Sequence, residues 1–583
     1  MTTMKTRWTD TVNRDLPRSE YPRPQMVRAD WLCLNGQYDY AVTAAEASCP
    51  RNFAGKITVP FAIESLLSGV GRTLLPTERL WYRRFFTLPE SYNGKRILLH
   101  FEAVDWQCEV YVNSVKAGEH TGGYCPFCFD ITPLLKDGEN ELIVKVYDPT
   151  DEGPQQRGKQ VLASKGFWYT GTSGIWQPVW LEPVSLCHIE NIKMTPDIDK
   201  SALSLAVTHT CPGEGKLIAR ITKEGTVLFD GVIDENTEIP VSDLRLWSPE
   251  DPFLYDLELT LTCGDETDTV KSYFAMRKFG IAKDDKGILR LTLNNAPYFQ
   301  RGLLDQGYWP DGGLTAPTDE ALIFDIAEMK RLGFNMIRKH IKVEPHRWYY
   351  HCDRLGVIVW QDMISGGKAL NLVYAGVLPN LNINVKDNQY KAFNRGNPAW
   401  REQFKEELFQ MLNNLYNFPC ICCWVPFNEG WGQFDAKEIA ESVKAFDPSR
   451  LVDHASGWHD QKGPDLRSMH RYILPVTMPT GSHGRPFVLS EYGGYSRIID
   501  GHVWNKKKSF GYIMYKSRDS LTKGFCSLHE KQIIPLIKKG LCATVYTQVS
   551  DVEFEVNGIY TYDRELLKLD ENAVIAVNRK MTY

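Results

Sequence analysis

The feature that most constrains this chain is a change of hydrophobic period near Ile288. Before that point apolar residues recur in short alternating runs. After it, apolar strand-like runs alternate with helix-like stretches. The first pattern builds β-sandwiches; the second builds parallel sheets with crossover helices. With 583 residues the chain is too long for one compact core, so several domains are required. The expected fold class is multidomain, β followed by α/β.

Residues 1–184 read as a jelly roll. Strand runs such as Arg96-Ile-Leu-Leu-His-Phe-Glu, Glu109-Val-Tyr-Val-Asn and Asn140-Glu-Leu-Ile-Val-Lys-Val-Tyr are parted by the turns Asn93-Gly94, Gly122-Gly123 and Asp137-Gly138. Residues 185–285 read as an immunoglobulin-like β-sandwich. Its strand candidates are Leu203–Thr208, Gly215–Thr222, Thr226–Asp230, Tyr255–Thr262 and Lys271–Phe279.

Residues 286–583 carry eight strand candidates: Tyr298–Leu304, Asn335–His340, Val357–Asp362, Cys420–Asn428, Leu451–Ala455, Arg467–Tyr472, Pro486–Glu491 and Cys542–Gln548. Helix candidates lie between most of them: one starting near Thr318, then Glu344–Leu355, Pro398–Tyr416, Ala436–Phe446 and Glu530–Lys539. Eight strands in this length suit a (β/α)8 TIM barrel. A doubly wound open sheet is the weaker reading, because no Gly-rich phosphate loop follows the first strand. Ser365–Gly396 reads as a polar insertion over the active face, and it and the loop Tyr147–Gly166 are expected to shape the outer subsites.

In a barrel the reactive groups sit where strands end. Those ends carry Arg338 and His340, Gln361 and Asp362, Asn428 and Glu429, His454, His470 and Tyr472, Glu491, and Gln548 and Asp551. Tyr546 on the eighth strand is a further candidate sugar contact. Two positions stand out. Trp424-Val-Pro-Phe-Asn-Glu and Phe487-Val-Leu-Ser-Glu each set a glutamate directly after an apolar strand. Strands four and seven face one another across a ring of eight, and two facing carboxyls are what glycoside hydrolysis needs. Taken singly, each glutamate could equally be an ion pair at a strand end; the pair at one rim favours chemistry.

These residues resemble those of glycoside hydrolase family 2, the β-galactosidase, β-glucuronidase and β-mannosidase family. The resemblance runs through Gly174-Ile-Trp-Gln-Pro-Val-Trp-Leu-Glu, Ile337-Arg-Lys-His with Pro345 and Cys352-Asp-Arg-Leu-Gly, Phe427-Asn-Glu and Ser490-Glu-Tyr-Gly. It implies an exo-acting retaining β-glycosidase with Glu429 as general acid/base and Glu491 as nucleophile. It further implies that Asn428 binds the sugar 2-hydroxyl, that Tyr472 hydrogen-bonds the nucleophile, and that Arg338, His340 and His470 line the first subsite. Asp362 joins them as a candidate sugar contact. By family frequency the first choice of substrate is a β-galactoside.

The chain also departs from the family. Large β-galactosidases carry a histidine soon after the nucleophile; here Tyr-Gly-Gly-Tyr follows Glu491. Their magnesium-binding cluster after strand three is replaced by Trp360-Gln-Asp-Met-Ile-Ser-Gly-Gly, so neither a catalytic metal nor another cofactor is expected. Asn505-Lys506-Lys507 formally matches the Asn-x-Lys with which glucuronidases hold a carboxylate, but three consecutive polar residues in a loop fit a solvated charged segment better. Cys125-Pro-Phe-Cys128 lacks a second ligand pair and reads as two incidental thiols.

The net charge of −5 gives no reason to expect nucleic acid as a partner. The start of the chain, MTTMKTRWTDTVNRD, is polar and has no signal-peptide core, and no apolar run is long enough to span a membrane. The 14 cysteines, without scaffold spacing, read as free thiols in a reducing cytoplasm. The expected partner is a carbohydrate substrate, and homo-oligomerisation is left open. Two rival functions share the pattern: a non-catalytic carbohydrate-binding protein, and a transglycosylase differing only in its acceptor.

Overall fold

The computed structural model describes residues 4–583, apart from 212, 214, 369–370, 372, 382 and 480–483. The N-terminal β region forms two facing antiparallel sheets. One runs in the order Gly55–Val59, Gly36–Ala44, Glu78–Thr87, Glu139–Tyr147, Gln107–Val112, Val115–Thr121. The other runs Leu32–Cys33, Val179–Val184, Arg96–Phe101, Phe127–Asp130. The alternation read from the sequence decides which side chains face inward. Along Glu139–Tyr147 the residues Asn140, Leu142, Val144 and Val146 are buried, while their neighbours are not.

The second region packs a three-stranded sheet (Ile189–Asp197, Ala202–His209, Asn236–Pro240) on a four-stranded one (Thr226–Ile233, Lys216–Lys223, Tyr255–Cys263, Glu266–Phe274). Asn236–Pro240 escapes a reading of hydrophobic pattern because it is polar and ends in proline. It lies at a sheet edge, where a missing N–H is tolerated. The strand expected at Lys271–Phe279 lies earlier, at Glu266–Phe274.

Two cysteines depart from the free-thiol expectation. Cys187 and Cys211 form a disulfide, with Cα atoms 5.5 Å apart, and the other 12 cysteines are free. The register explains the pair. Ile189 faces His209 in the ladder, so two residues further out Cys187 faces Cys211. Cys125 and Cys128 remain free thiols.

The third region is an eight-stranded parallel barrel: β1 (Gln300–Asp305), β2 (Met336–Lys339), β3 (Ile358–Asp362), β4 (Ile421–Val425), β5 (Leu451–Val452), β6 (Arg467–Arg471), β7 (Phe487–Gly493) and β8 (Leu541–Thr547). β1 pairs with β2 and with β8, and the ladders run on to β5 on one side and β6 on the other. Helices Asp319–Arg331, His346–Leu355, Pro398–Leu415, Ala436–Phe446 and Arg518–Leu528 pack outside. Thr318 caps the first of them by accepting from the Ala321 amide. Among the described residues no helix is long and apolar enough to cross a membrane.

Each region has its own hydrophobic cluster. The jelly roll also sends Tyr124, Tyr169 and Trp176 into the barrel's cluster, so part of this interface is apolar. A backbone seam continues it over the barrel mouth. The Arg157 and Gly158 amides donate to the Ser365 carbonyl at 3.1 and 2.9 Å, and the Gly367 amide donates to the Pro154 carbonyl at 3.1 Å. A loop of the first region is thereby fixed against the insertion that follows β3.

Candidate active site

Glu491 is the most enclosed of the candidate catalytic groups. It lies on β7 at the mouth of the barrel, with its side chain 6% exposed. The Tyr472 hydroxyl donates to Oε2, and Arg338 donates to Oε1 at 3.1 Å. His340 Nδ1 and His470 Nε2 lie 4.0 and 3.5 Å from Oε1. Burial alone would raise this carboxyl. His470, His340, Arg338 and the Tyr472 hydroxyl outweigh it and hold it well below the ordinary carboxylate range. The Arg338 part of that effect is permanent, whereas His340 is itself pushed toward its neutral form, first by burial and then by the Lys159 charge.

Arg338 is wholly buried and spends every arm. Nε and one terminal nitrogen form a fork on Asp362 at 2.9 Å each. That nitrogen also reaches Asn428 Oδ1 at 2.8 Å, and the other reaches the Ser490 carbonyl at 3.1 Å. One planar cation thus fixes β2, β3, β4 and β7 relative to one another. Asp362 additionally faces His340 Nδ1 at 2.9 Å.

Glu429 follows β4 in the left-handed region, φ +51°. A glutamate held there carries strain of about 1–3 kcal/mol, which the surrounding bonds must offset. Its amide donates to the Ser456 carbonyl at 2.9 Å. Its side chain is 28% exposed, and Oε1 lies 2.8 Å from His470 Nδ1. His470 also meets the Ser456 hydroxyl at 3.1 Å through Nε2, so the imidazole stands between the two carboxylates. One side-chain nitrogen or oxygen from each of Glu429, His470 and Glu491 lies within 4.8 Å of those from the other two. That spacing could physically hold an ion. It also falls near the roughly 5–5.5 Å of a retaining carboxyl pair and short of the roughly 6.5–9.5 Å that admits a water between them.

Two connected cavities meet here. The smaller is walled by Glu491, Glu429, Asn428, His340, Tyr472 and Thr547, with Lys159 and Glu555 opposite. The wider, about 280 Å³, touches Glu429 but not Glu491 and is mostly apolar: Phe167, Trp458, Ile473, Leu474 and Tyr512. Tyr512 stacks on Tyr472 with centroids 3.9 Å apart and planes 4° from parallel. The insertion after β3 contributes Ala375 and Gly376 to this wider cavity.

Several strand-end candidates have other duties. Arg338 and Asp362 reach no cavity wall and act through Glu491, Asn428 and His340. Tyr546, expected as a sugar contact, lines neither cavity. Side chains alternate along β8, so Thr547 faces the cavity while Tyr546 points outward against Tyr492, Phe525 and His529. His454 accepts from the Gln461 amide, Gln361 accepts from Tyr349, and Asp551 pairs with Lys568. Lys506 pairs with Asp500, and residues 505–507 line neither cavity. The sequence reading named Lys159 only as part of the loop Tyr147–Gly166, and missed Phe167, Trp168, Trp431, Tyr512 and Glu555. Only the last three belong to the barrel, where an aromatic or acid in a βα loop is a weak signal.

Three family models cover most of the chain in this order: the sugar binding domain of glycosyl hydrolases family 2 over residues 55–183, the model named simply glycosyl hydrolases family 2 over 187–277, and the family 2 TIM barrel domain over 290–569. The chain belongs to glycoside hydrolase family 2. A β-galactosidase of Thermoanaerobacter pseudethanolicus is 28% identical over 71% of this chain and 54% of its own length. A putative β-glucuronidase of Formosa agariphila is 28% identical over 75% and 50%. The chain therefore spans about half the length of these relatives. Among solved structures, the β-glucuronidase of Ruminococcus gnavus superposes with a TM-score of 0.75 at 16% identity, covering 97% of this chain and 99% of that one. The Dictyoglomus thermophilum β-glucuronidase gives 0.74 at 15% identity over 96% and 98%. At such identities the likeness is one of fold.

Proposed function

We propose that this family 2 chain is a retaining exo-β-glycosidase acting on β-galactosides. The observation that carries the retaining part is the separation of Glu429 and Glu491, within 4.8 Å between side-chain oxygens. In this reading Glu491 attacks the anomeric carbon as its glycosidic C–O bond breaks. Glu429 protonates the departing oxygen. Water then enters, gives its proton to Glu429, and releases the sugar from the ester on Glu491. The two environments suit the division of labour: Glu491 is buried and held anionic, while Glu429 is partly exposed on the side where a leaving group must depart.

Glu555 favours a neutral sugar over a uronic acid. It lines the smaller cavity, where a second carboxylate would be repelled. One observation favours the alternative reading, a β-glucuronidase. Lys159 lines the same cavity and could hold a carboxylate as a point charge.

Initial rates on aryl β-galactoside, β-glucuronide, β-mannoside, β-glucoside and α-L-arabinoside separate these readings. Fastest turnover of the galactoside supports the proposal; fastest turnover of the glucuronide, lost in Lys159→Met, replaces it with the second. No turnover of any substrate would favour a carbohydrate-binding protein. The anomer formed first, followed by NMR, tests retention directly: an α-sugar released from a β-glycoside would refute it. Products formed with added sugar acceptors distinguish hydrolysis from transglycosylation.

A further inference from the structure

A second cavity of about 620 Å³ opens between the jelly roll and the barrel, behind the wall of the catalytic one. Its volume falls within the roughly 300–1,000 Å³ of small-molecule sites. Tyr308, Trp309, Trp504 and Tyr562 supply aromatic walls from the barrel side. Glu64 and Thr172 face them from the jelly roll, with Glu553 from the loop after β8. Among the described residues no lysine or arginine lines it.

Two of its polar atoms lack partners. Glu553 Oε1 accepts from the Thr170 amide at 2.8 Å, but Oε2 is buried without a hydrogen bond among the described residues. The same holds for the Thr172 hydroxyl. These residues are 3% and 0% exposed. Buried polar atoms are nearly always satisfied, by protein, water or a ligand. Both atoms are closed to solvent, so the polar groups the cavity offers a ligand are the more open ones of Thr73, Ser164 and Asn505.

The wall chemistry selects the ligand. An anion would find no cation and two carboxyls. Burial raises both carboxyls, Glu64 to about 8. The two Glu64 oxygens already accept from the Leu74 and Ser173 amides at 3.2 and 2.9 Å. What remains is apolar ring surface interspersed with hydroxyl and carboxyl groups, which matches the C–H faces and hydroxyl rim of a sugar.

We propose that this cavity is a second saccharide site, separate from the catalytic one and selective for neutral sugars. It shares a wall with the first. Tyr169 donates to Glu555 on the catalytic side, while the next residue, Thr170, donates to Glu553 on the other. A saccharide unit held here is bound without being cut.

Calorimetric titration of the full chain carrying Glu491→Gln tests this without turnover. The probes are the methyl β-glycosides of glucose, galactose, mannose and xylose, with glucuronate as the anionic control. At least one neutral probe should bind with a stoichiometry of two per chain. One of its two sites should weaken at least tenfold when Glu553→Gln is added, and again when the cavity is filled by Ser164→Phe. In the otherwise native chain, Ser164→Phe should leave turnover of an aryl glycoside within twofold. Glu553→Gln preserves shape and guards against a misfolded Ser164→Phe, and melting curves verify both. A single site or none for every neutral probe would overturn the proposal. So would a second site indifferent to both substitutions, or one that prefers glucuronate.

Discussion

Tyr472→Phe removes one oxygen and little else. The ring lies parallel to Tyr512 at 3.9 Å, and phenylalanine keeps that stack. The lost group is the hydroxyl donated to Glu491 Oε2, in a site where the carboxylate is almost fully buried. The Thr547 hydroxyl, 3.4 Å from the Tyr472 oxygen, is set at the edge of this contact and does not bond the carboxylate itself. A hydrogen bond to a charged group contributes about 1.5–3 kcal/mol, which corresponds to about 10- to 150-fold in rate. The two chemical steps feel it differently. Forming the glycosyl-enzyme takes charge off Glu491, and breaking it restores that charge. The donor therefore assists the second step more than the first. With an activated aryl glycoside, kcat should fall by this factor, KM should fall with it, and kcat/KM should change less. Stopped-flow release of the aryl alcohol should show a burst as the glycosyl-enzyme accumulates. If kcat stays within twofold, or if kcat/KM falls as far as kcat, the hydroxyl does not act on Glu491 in this way.

Other expectations follow from the same geometry. Gly457 has φ +87°, and a Cβ there would lie 2.6 Å from the His470 ring; Gly457→Ala should displace the imidazole between the glutamates and lower kcat about 100-fold, in line with the effect of about 1 Å of misplacement. Arg338→Met takes the buried guanidinium from Asp362 and leaves it only His340, a loss of about 3–5 kcal/mol in the barrel's stability that thermal or denaturant unfolding should detect. Cys187→Ser opens a loop spanning a sequence separation of 24; denaturant unfolding of the second region should lose about 3 kcal/mol, and reductant should reproduce the loss in the native chain.

The meeting of the two glutamates at one cavity was legible because each ends an apolar strand, and strand ends in a barrel gather at one rim. Tyr546 misled for a reason of parity: it sits one residue from Thr547, and a single step along a strand exchanges inside for outside. The Cys187–Cys211 pair needed the strand register, which spacing does not reveal. Helix Arg518–Leu528 was missed because Gly524 interrupts it and serine stands at both ends of its capping box, where glutamate or glutamine is the usual third residue. Gly524 is there because a Cβ would lie 2.4 Å from the Tyr515 hydroxyl. Phe167 and Trp168 were invisible, and Lys159 legible only as part of a loop expected to shape the outer subsites, for a different reason. They belong to a region whose own pattern speaks only of sheets, and tertiary packing alone brings them to the barrel mouth.

The seam joining residues 154–158 to Ser365 and Gly367 bears on how such a chain can change over generations. A barrel copied without its jelly roll would keep both glutamates but lose part of the floor and side of its own cup. On the proposed reading, replacement at 159 or 167 reshapes the cavity without touching the strands that carry Glu429 and Glu491, so the gauge and the cutting edge stand on different pieces of the chain.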